Sequence, residues 1–463
     1  MLKGIRNMTK PRIKYWIVIL IGSLLLLYML ISFYFKKHFF FNTVINGVDF
    51  SLKTYKDAEN KLRNVMKDYE LLLLGRNGET EVINGPDIEL QFNEKNSIPK
   101  IINHQKALLW FRSISQNQCY YVMDVYTYQK DKLDRVIKDL IFVKRPAEEP
   151  KNVSFQYVGG SFEMIEEVYG NKIDEEKLRE KIITYLLRGN RRLNLEEEYC
   201  YEYPEYTIYS YKSLITLNLL NKYTATTVKY KFGDKYEILD GKEINKWIKI
   251  DNNLDVSINE KAVKNYVNRL SKLYDTVGIP RQFKASTGKV VEVEGGLYGW
   301  KINQAEEVKA LMEIVIHGNA IEREPIYSQK ALFRGENEIG NTYVEINITR
   351  QYLWFYKDGK LIAHGPVVTG NPNRGHATVV GVYMLNYKQK DAILVGPGYE
   401  SDVTYWMPFY GSIGLHDASW RHSFGGTIYK RNGSHGCVNA PLHLARKVFE
   451  VIEPGDLIIS YEE

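Results

Sequence analysis

The pattern of hydrophobic and polar positions divides the chain into a long apolar run, a mixed middle region and a β-rich end. Residues 15–35 carry no charged side chain. At about 1.5 Å of rise per residue, a helix of this length crosses a hydrocarbon core of about 30 Å. The pattern therefore predicts a single transmembrane helix over residues 15–35, after a short tail over residues 1–14.

A cleaved signal peptide is the alternative for this run. The run exceeds a normal apolar signal region, and no alanine precedes Ala58, so an Ala-x-Ala cleavage site is missing. Five basic residues precede the run and two follow it, which favours a cytoplasmic N-terminus. We expect a single-pass membrane protein whose residues beyond about 38 lie outside the cytoplasm.

The middle region contains a weak internal repeat. Residues 168–174 read VYGNKID and residues 297–303 read LYGWKIN, an offset of 129 residues. An amphipathic segment and a strand-like stretch precede each copy, and a second helical pattern follows it. We predict two related α+β modules, over residues 38–205 and 206–335. Chance similarity over seven positions is the competing explanation.

The last region changes to short β-rich runs after a polar segment, residues 328–341, which we interpret as a linker. Strands are expected over residues 344–348, 352–356, 361–368, 379–385, 413–416 and 457–461, with a hairpin turn at Asp358-Gly359. One amphipathic helix is expected over residues 442–452, between Pro441 and the Pro454-Gly455 stop. The predicted fold class is thus α+β multidomain, with a mostly-β C-terminal domain over residues 340–463.

The positive net charge of the chain comes from its N-terminal region. The chain of 463 residues has a formal net charge of +6, from 62 basic and 56 acidic residues. Seven of the basic residues and none of the acidic ones lie in residues 1–37. The rest of the chain therefore contains 55 basic and 56 acidic residues. The excess of positive charge indicates membrane topology, and it gives no support for nucleic-acid binding.

Only three cysteines occur, at Cys119, Cys200 and Cys437, without a Cys-x-x-Cys pair. A disulfide scaffold is therefore excluded. Histidines 416, 435 and 443 flank Cys437, but a single thiolate with scattered imidazoles lacks the paired spacing of a structural zinc site. We expect neither a metal nor an organic cofactor.

Cys437 is the strongest candidate for chemistry. It is predicted to lie in the loop before the late helix, whose N-terminal dipole would favour a thiolate. Gly436 permits a tight turn, so backbone N–H groups there could face a developing oxyanion. His416 and His435 both remain candidates for the base, because proximity in sequence does not decide geometry. The alternative is that Cys437 is a buried structural cysteine without a catalytic role.

The spacing around these residues resembles a known signature. His416, seventeen intervening residues and then Ser434-His435-Gly436-Cys437-Val438-Asn439 are similar to the catalytic domain of the L,D-transpeptidases, the YkuD-like family that cross-links cell walls. The similarity covers roughly residues 340–463, including GPVVTG at 365–370. Asp417 stands where many members have Gly, and TVVG at 378–381 stands where many have Thr-Pro-x-Gly.

The resemblance implies a role for each residue of the site. Cys437 would be the nucleophile and His416 its base. Backbone groups of His435, Gly436 and Cys437 would form the oxyanion hole, with Ser434 holding the site. The substrate crevice would be lined by Asn439, Trp420 and Tyr399. The anchor and paired modules also resemble the architecture of Gram-positive members, whose modules are thought to contact peptidoglycan.

The resemblance implies a peptidoglycan L,D-transpeptidase that forms 3→3 cross-links between stem peptides through a thioester. Two other functions remain open. Water could replace the acceptor amine, which would make the protein an L,D-carboxypeptidase. Alternatively, the cysteine site is vestigial and the protein is a non-catalytic cell-wall-binding protein.

Overall fold

The computed structural model describes residues 10–396 and 399–463. They form two compact units. The first holds the described residues up to Ser154 together with Met164–Ser210, and the second holds Phe155–Glu163 with Tyr211–Glu463.

The elements up to residue 210 are mostly short. The helices are α1 (Lys10–Tyr34), α2 (Tyr55–Val65), α3 (Ile98–His104), α4 (Lys130–Asp139), α5 (Ile141–Lys144) and α6 (Glu175–Arg188). The strands are β1 (Thr43–Ile45), β2 (Val48–Asp49), β3 (Glu70–Leu74), β4 (Thr80–Asn84), β5 (Gln91–Phe92), β6 (Gln118–Tyr120), β7 (Tyr126–Thr127), β8 (Ser154–Val158), β9 (Ser161–Ile165) and β10 (Arg192–Asn194).

From residue 211 onward, strands predominate. The helices are α7 (Tyr211–Thr224), α8 (Gly241–Ile244), α9 (Glu260–Tyr274), α10 (Gln304–His317), α11 (Ile428–Asn432) and α12 (Leu442–Val451). The strands before residue 340 are β11 (Thr227–Phe232), β12 (Lys235–Leu239), β13 (Ile248–Ile250), β14 (Val256–Ile258), β15 (Arg281–Lys284), β16 (Val290–Val293), β17 (Lys301–Ile302), β18 (Ala320–Arg323) and β19 (Tyr327–Gln329). The later strands are β20 (Tyr343–Asn347), β21 (Tyr352–Lys357), β22 (Lys360–Pro366), β23 (Gly381–Met384), β24 (Gln389–Gly396), β25 (Tyr399–Tyr410), β26 (Ile413–Asp417), β27 (Val438–Ala440) and β28 (Leu457–Tyr461).

Helix α1 contains the predicted apolar run. Within the described residues, one helical stretch, Lys14–Tyr34, is long and apolar enough to cross a membrane, with a mean hydropathy of 2.5. Most of its large apolar side chains are exposed. The predicted helix is therefore present, and its insertion in a membrane stays a prediction.

The predicted repeat is visible in the structure. In each copy an antiparallel strand pair, β3–β4 or β11–β12, gains a third strand, β10 or β18, parallel to its first. A helix of 14 residues, α6 or α10, precedes that third strand. An Asp or Asn side chain caps its start and a left-handed glycine ends it, which satisfies its terminal backbone groups. The two modules therefore share one topology.

Each module also carries a β-hairpin that packs outside its own three-stranded sheet. Hairpin residues 155–163 belong to the second compact unit, where the Phe162 N–H donates to the side-chain oxygen of Asn221 on α7. Hairpin β15–β16 meets the final domain, where the Ser286 N–H donates to the buried Glu345 carboxylate at 2.9 Å. The second hairpin therefore links the second module to strand β20 of the C-terminal domain.

The segment expected to be a polar linker is packed instead. Part of residues 328–341 extends β19, and Ala331 and Ile339 join a hydrophobic cluster with Val382 and Ile459. Glu338 is buried there against Arg281, with 2.8 Å between carboxylate and guanidinium. The segment leads into the final domain, and this ion pair and two apolar side chains hold it in place although its other residues are mostly polar.

The C-terminal domain consists of two sheets around one core. The five-stranded sheet has the order β22-β21-β20-β28-β23, and the four-stranded sheet has the order β24-β25-β26-β27. Helix α12 packs against β22, β25 and β26, and buried side chains from both sheets form the core. Strands β26 and β27 run parallel, which places His416 opposite Asn439.

Most predicted strands of this domain are confirmed. The hairpin turn lies at Asp358-Gly359, both with positive φ, as a two-residue turn of this type requires. The helix and the last strand lie where predicted, at α12 and β28. The pair β24–β25 and the short strand β27 were not predicted. The fold class, an apolar N-terminal helix with α+β modules and a sheet-rich final domain, is confirmed.

Candidate active site

Cys437 lies immediately before β27, beside strand β26. Its thiol is half-buried, with Sγ 3.5 Å from the carbonyl oxygen of Ser412. Removal of water from around the sulfur raises the pKa of the thiol to about 11, although a hydrogen bond from the Gly414 backbone acts in the opposite sense. The cysteine is therefore a neutral thiol at neutral pH.

The expected lowering of this pKa by a helix dipole is wrong. Helix α12 begins at Leu442, and the three residues of β27 and Pro441 separate it from Cys437. A helix dipole acts within about one turn of the helix end, so it does not reach the sulfur. Desolvation then dominates the ionisation of the thiol.

His416 is held by two hydrogen bonds in the interior of β26. Its ring is buried, with Nδ1 at 2.8 Å from the carbonyl oxygen of Asp417 and Nε2 at 3.0 Å from Nδ2 of Asn439. A carbonyl oxygen only accepts and an amide NH₂ only donates, so Nδ1 carries the hydrogen and Nε2 offers its lone pair. Burial lowers the pKa of the imidazole, which keeps this tautomer neutral.

The loop before Cys437 is fixed by the Ser434 hydroxyl. Its Oγ accepts from the Gly436 N–H at 3.1 Å and donates to the carbonyl oxygen of Cys437. Gly436 has a φ of +125°, a conformation that favours glycine. The carbonyl oxygen of Gly436 accepts a 2.7 Å hydrogen bond from Thr378. The Gly436 N–H, a candidate for the oxyanion hole, is thus engaged by Ser434 in this structure.

His435 and Trp420 lie on the exposed side of the site. The His435 ring centroid is 4.6 Å from that of His376. Trp420 is largely exposed, and its ring centroid is 6.0 Å from that of His416. Tyr399, also predicted to line the crevice, begins strand β25, and its side chain is not among the described parts of the structure.

A cavity of about 290 Å³ brings most of the predicted residues together. Its lining comprises Leu394, Ser401, His416, Trp420, Arg421, Asn432, Gly433, Ser434, His435, Cys437 and Asn439. Among the residues that the structure describes, no group of three or more His, Cys, Asp and Glu side chains could hold a metal ion. The cavity therefore offers a thiol, an imidazole whose Nε2 lone pair accepts from Asn439, and several amide and hydroxyl groups.

Sequence reasoning missed Arg421. Its Nε donates to the side-chain oxygen of Asn439 at 2.8 Å, and its Nη1 donates to the carbonyl oxygen of Asn432 at 2.7 Å. This arginine lies in a polar stretch after Trp420, a pattern that predicts a solvated loop residue. No signal in the sequence separates it from such a residue, because its contacts come from residues 11 and 18 positions away.

Comparison with protein families agrees with this architecture. Residues 341–459 match the L,D-transpeptidase catalytic domain, YkuD, and residues 83–194 and 209–320 both match a putative peptidoglycan binding domain. The fold and the matches define a cell-wall-directed protein with a C-terminal catalytic domain. The chain belongs to the L,D-transpeptidases of the YkuD family, as the resemblance predicted.

Solved structures with similarity to the chain include proteins of Enterococcus faecium. A crystal structure of a cysteine-to-serine mutant of its L,D-transpeptidase has 29% identity and a TM-score of 0.44, covering 54% of this chain and 100% of that one. An NMR structure of its catalytic domain has 36% identity and a TM-score of 0.25, covering 27% and 98%. A further structure with the same values shows that domain acylated by ertapenem. Among curated proteins, none matches the chain.

Proposed function

We propose that this protein is a membrane-anchored peptidoglycan L,D-transpeptidase that forms 3→3 cross-links through a Cys437 thioester. One observation carries the proposal: Cys437 and His416 line the same cavity, and the imidazole presents Nε2 as a proton acceptor. A thiol and a neutral base in one crevice are the minimum for acyl transfer by a cysteine. No metal or organic cofactor is needed for this chemistry.

The first half-reaction forms the acyl-enzyme. Nε2 of His416 exchanges its Asn439 partner for the thiol and takes the Sγ proton as the sulfur attacks the carbonyl carbon of the third, L-configured stem residue. Because the resting pair is a neutral thiol and a neutral imidazole, proton transfer accompanies attack instead of preceding it. The C–N bond to the terminal D-alanine then breaks, and the departing amine receives the proton from His416.

The second half-reaction resolves the thioester. An amine of a neighbouring stem attacks the thioester carbonyl, its surplus proton passes to His416, and the Cys437 thiolate leaves and is reprotonated. The new amide is the 3→3 cross-link. Backbone N–H groups of His435, Gly436 and Cys437 are the proposed oxyanion donors, and for Gly436 this requires release from the Ser434 hydroxyl. Asn439, Trp420 and Tyr399 are proposed to line the substrate crevice.

Acylation by ertapenem tests the cysteine. This carbapenem acylates the similar domain of Enterococcus faecium. We expect the full-length protein in detergent to gain one drug mass in intact-mass spectrometry, and Cys437→Ser to gain none. Cys119→Ser is the matched control, since that cysteine lies in the other compact unit, and it should be acylated normally. Absence of a Cys437-dependent adduct would count decisively against the proposal.

If water were the acceptor, the protein would be an L,D-carboxypeptidase. The thiol is only half-buried, so water can reach it, and this supports hydrolysis as a second candidate function. A defined tetrapeptide stem separates the two reactions. Cross-linked dimer indicates transfer, whereas trimmed tripeptide without dimer indicates hydrolysis.

We further propose that both modules bind peptidoglycan, as the description of their family suggests. The second module shares a hydrophobic cluster with the catalytic domain, so the full chain is the appropriate material. Full-length Cys437→Ala should sediment with insoluble peptidoglycan and should stay in solution with cellulose. Loss of sedimentation in this variant would show that retention depends on the thioester, and not on the modules.

The proposed location is the cell membrane of a Gram-positive cell, with a cytoplasmic N-terminus and the catalytic domain facing the wall. The uncharged stretch within α1 and the wall-directed domain families support this topology. The protein should remain in the membrane pellet after alkaline carbonate washing, and external protease should digest it in protoplasts. Release by carbonate would contradict a spanning helix.

A further inference from the structure

Arg421 brings a positive charge into the catalytic cavity without a counter-ion. It is half-buried, and it lines the same cavity as Cys437 and His416. Its two hydrogen bonds go to neutral acceptors, the Asn439 side-chain amide and the Asn432 carbonyl. Among the described residues no carboxylate forms an ion pair with it, and none of the described lining residues is acidic. Burial without a compensating charge lowers its pKa.

Three other arginines of low exposure in this protein have carboxylate partners. Arg281 contacts Glu338 at 2.8 Å, and Arg323 contacts Glu307 at 3.0 Å. Arg76 pairs with Glu196. Removing a charge from water is costly unless an opposite charge compensates it, which explains these pairs. Within the described parts of the chain Arg421 has no such partner, and neither do the half-buried Arg188 and Arg334, but of these three arginines only Arg421 lines the catalytic cavity.

The two neutral contacts orient the guanidinium. They engage Nε and one hydrogen of Nη1, on the side of Asn439 and Asn432. Nη2 and the second hydrogen of Nη1 make no hydrogen bond within the described parts of the chain. These two nitrogens form the planar fork that binds a carboxylate through two parallel hydrogen bonds. The guanidinium is thus held in place for an anionic ligand while its charge stays available.

We propose that Arg421 binds a carboxylate of the donor stem peptide and so places the scissile carbonyl at Cys437. This inference rests on the proposed function and adds the group that recognises the donor. A stem peptide offers carboxylates of two kinds, the terminal carboxylate of the departing residue and a side-chain carboxylate within the stem. Both have the same chemistry, and amide derivatives distinguish them.

The test uses the full-length protein in detergent and three synthetic tetrapeptide stems. One is unmodified, one has its terminal carboxylate replaced by an amide, and one has its internal carboxylate amidated. Release of the terminal residue gives kcat and KM. We expect one amidated peptide to show a KM raised about tenfold or more with the wild type, the usual effect of losing a charged hydrogen bond. The identity of that peptide identifies the carboxylate.

Arg421→Gln should remove this discrimination. Its KM for the unmodified stem should rise to the value for the amidated stem, and Arg421→Lys should lie between because it keeps the charge but loses the fork. Arg431→Gln is the matched control, an exposed arginine on neighbouring α11 that does not line the cavity. Iodoacetamide is uncharged, so it should alkylate Cys437 equally fast in Arg421→Gln if the site remains folded.

The outcomes separate this inference from the proposed function. Equal KM values of the wild type for all three peptides would overturn the carboxylate site and leave the transpeptidase proposal standing. A uniform loss in Arg421→Gln with unchanged discrimination, or slowed alkylation, would show that Arg421 acts only by orienting Asn439 and does not bind the carboxylate. If the wild type turns over none of the peptides and ertapenem does not acylate it, the proposed function fails and this inference fails with it.

Discussion

The side-chain amide of Asn439 donates a hydrogen bond to Nε2 of His416 over 3.0 Å. Arg421 fixes the orientation of that amide, because its Nε–H requires the amide oxygen on its own side. The Asp417 carbonyl in turn holds Nδ1–H of the imidazole. One chain of hydrogen bonds from Arg421 to Asp417 thus sets the tautomer of the proposed base.

Replacement of Asn439 tests this chain. Asn439→Ala leaves a buried imidazole nitrogen without its partner, which costs about 1–3 kcal/mol. Asn439 also orients the ring and selects the Nδ1–H tautomer, so its loss should slow acylation by ertapenem about tenfold or more, an increase of about 1.4 kcal/mol or more in the barrier. Stopped-flow or mass-spectrometric time courses measure the rate. Asn373→Ala, which removes an exposed amide bonded to the Lys430 carbonyl, should have no effect on it.

A faster reaction in Asn439→Ala would have the opposite meaning. It would show that the amide mainly occupies the lone pair of His416 and keeps it from the thiol. The orienting role assigned to Asn439 would then be wrong.

The pH dependence of acylation should report the neutral resting pair. The lowered pKa of His416 keeps the base unprotonated below the usual value of 6.5, so the rate should hold down to that pH and fall only under more acidic conditions. Iodoacetamide reacts with the thiolate form of cysteine, which the raised pKa of Cys437 makes scarce at neutral pH. Alkylation by iodoacetamide should therefore increase with pH up to about 11.

The two candidate bases differ in this experiment. His416→Gln should slow acylation by about 10²–10⁴, the usual contribution of a general base, and should abolish the acidic fall. His435→Gln should keep that fall, because its exposed ring lies against His376. The reverse pattern would reassign the base to His435.

The sequence predicted elements well where apolar residues are continuous or alternate. Residues 457–461 are almost uniformly apolar and form the fully buried strand β28. Strand β25 was missed, because Glu400, Ser401 and Asp402 interrupt the apolar alternation in a part that extends beyond the core. A long strand that is buried over only part of its length has no clear period of two.

The sequence was sufficient to predict the reacting groups of the site, but it did not predict the raised pKa of the thiol or the position of Arg421. Cys437 and His416 stand out through their spacing in the sequence. The three-residue strand β27 is too short to give a pattern, and missing it led to a thiol placed at a helix start. Arg421 acquires its significance only through the fold, which brings it to Asn439 and Asn432.

Gly436 should tolerate no side chain. Its φ of +125° is strained for other residues, and an added Cβ would lie 3.1 Å from the Ile413 side chain. Gly436→Ala should cost about 1–3 kcal/mol of stability. The resulting shift of Cys437 should slow acylation about 10²-fold, as a displacement of about 1 Å can. Thermal unfolding and intact-mass time courses measure the two effects.

A second glycine separates strain from geometry at the site. Gly375 also has positive φ, at +73°, but a Cβ there meets nothing within 4 Å. Gly375→Ala should cost about 1–2 kcal/mol and leave the acylation rate unchanged. Equal rates for both variants would show that the Gly436 conformation does not position the thiol.

The buried pair of Arg281 and Glu338 should be a major determinant of stability in the second compact unit. Its side chains are 1% and 4% exposed, and Thr276 also donates to the Glu338 carboxylate at 2.7 Å. Glu338→Gln leaves the guanidinium buried without a counter-charge, which should cost about 3–5 kcal/mol. At about 2–4 °C per kcal/mol, the Tm of this unit should fall by about 6–20 °C in calorimetry.

Two further variants decide whether the ion pair itself is responsible. Lys330→Met removes an exposed partner of Glu324, 3.7 Å away, and should change the free energy of unfolding by less than about 1 kcal/mol. The double variant Arg281→Met/Glu338→Leu removes both buried charges and should recover much of the loss, because apolar replacements of a buried pair are often tolerated. A double variant as unstable as Glu338→Gln would show that the contacts of Arg281 with backbone carbonyls at Thr276 and Ile279, and not the ion pair, hold this region together.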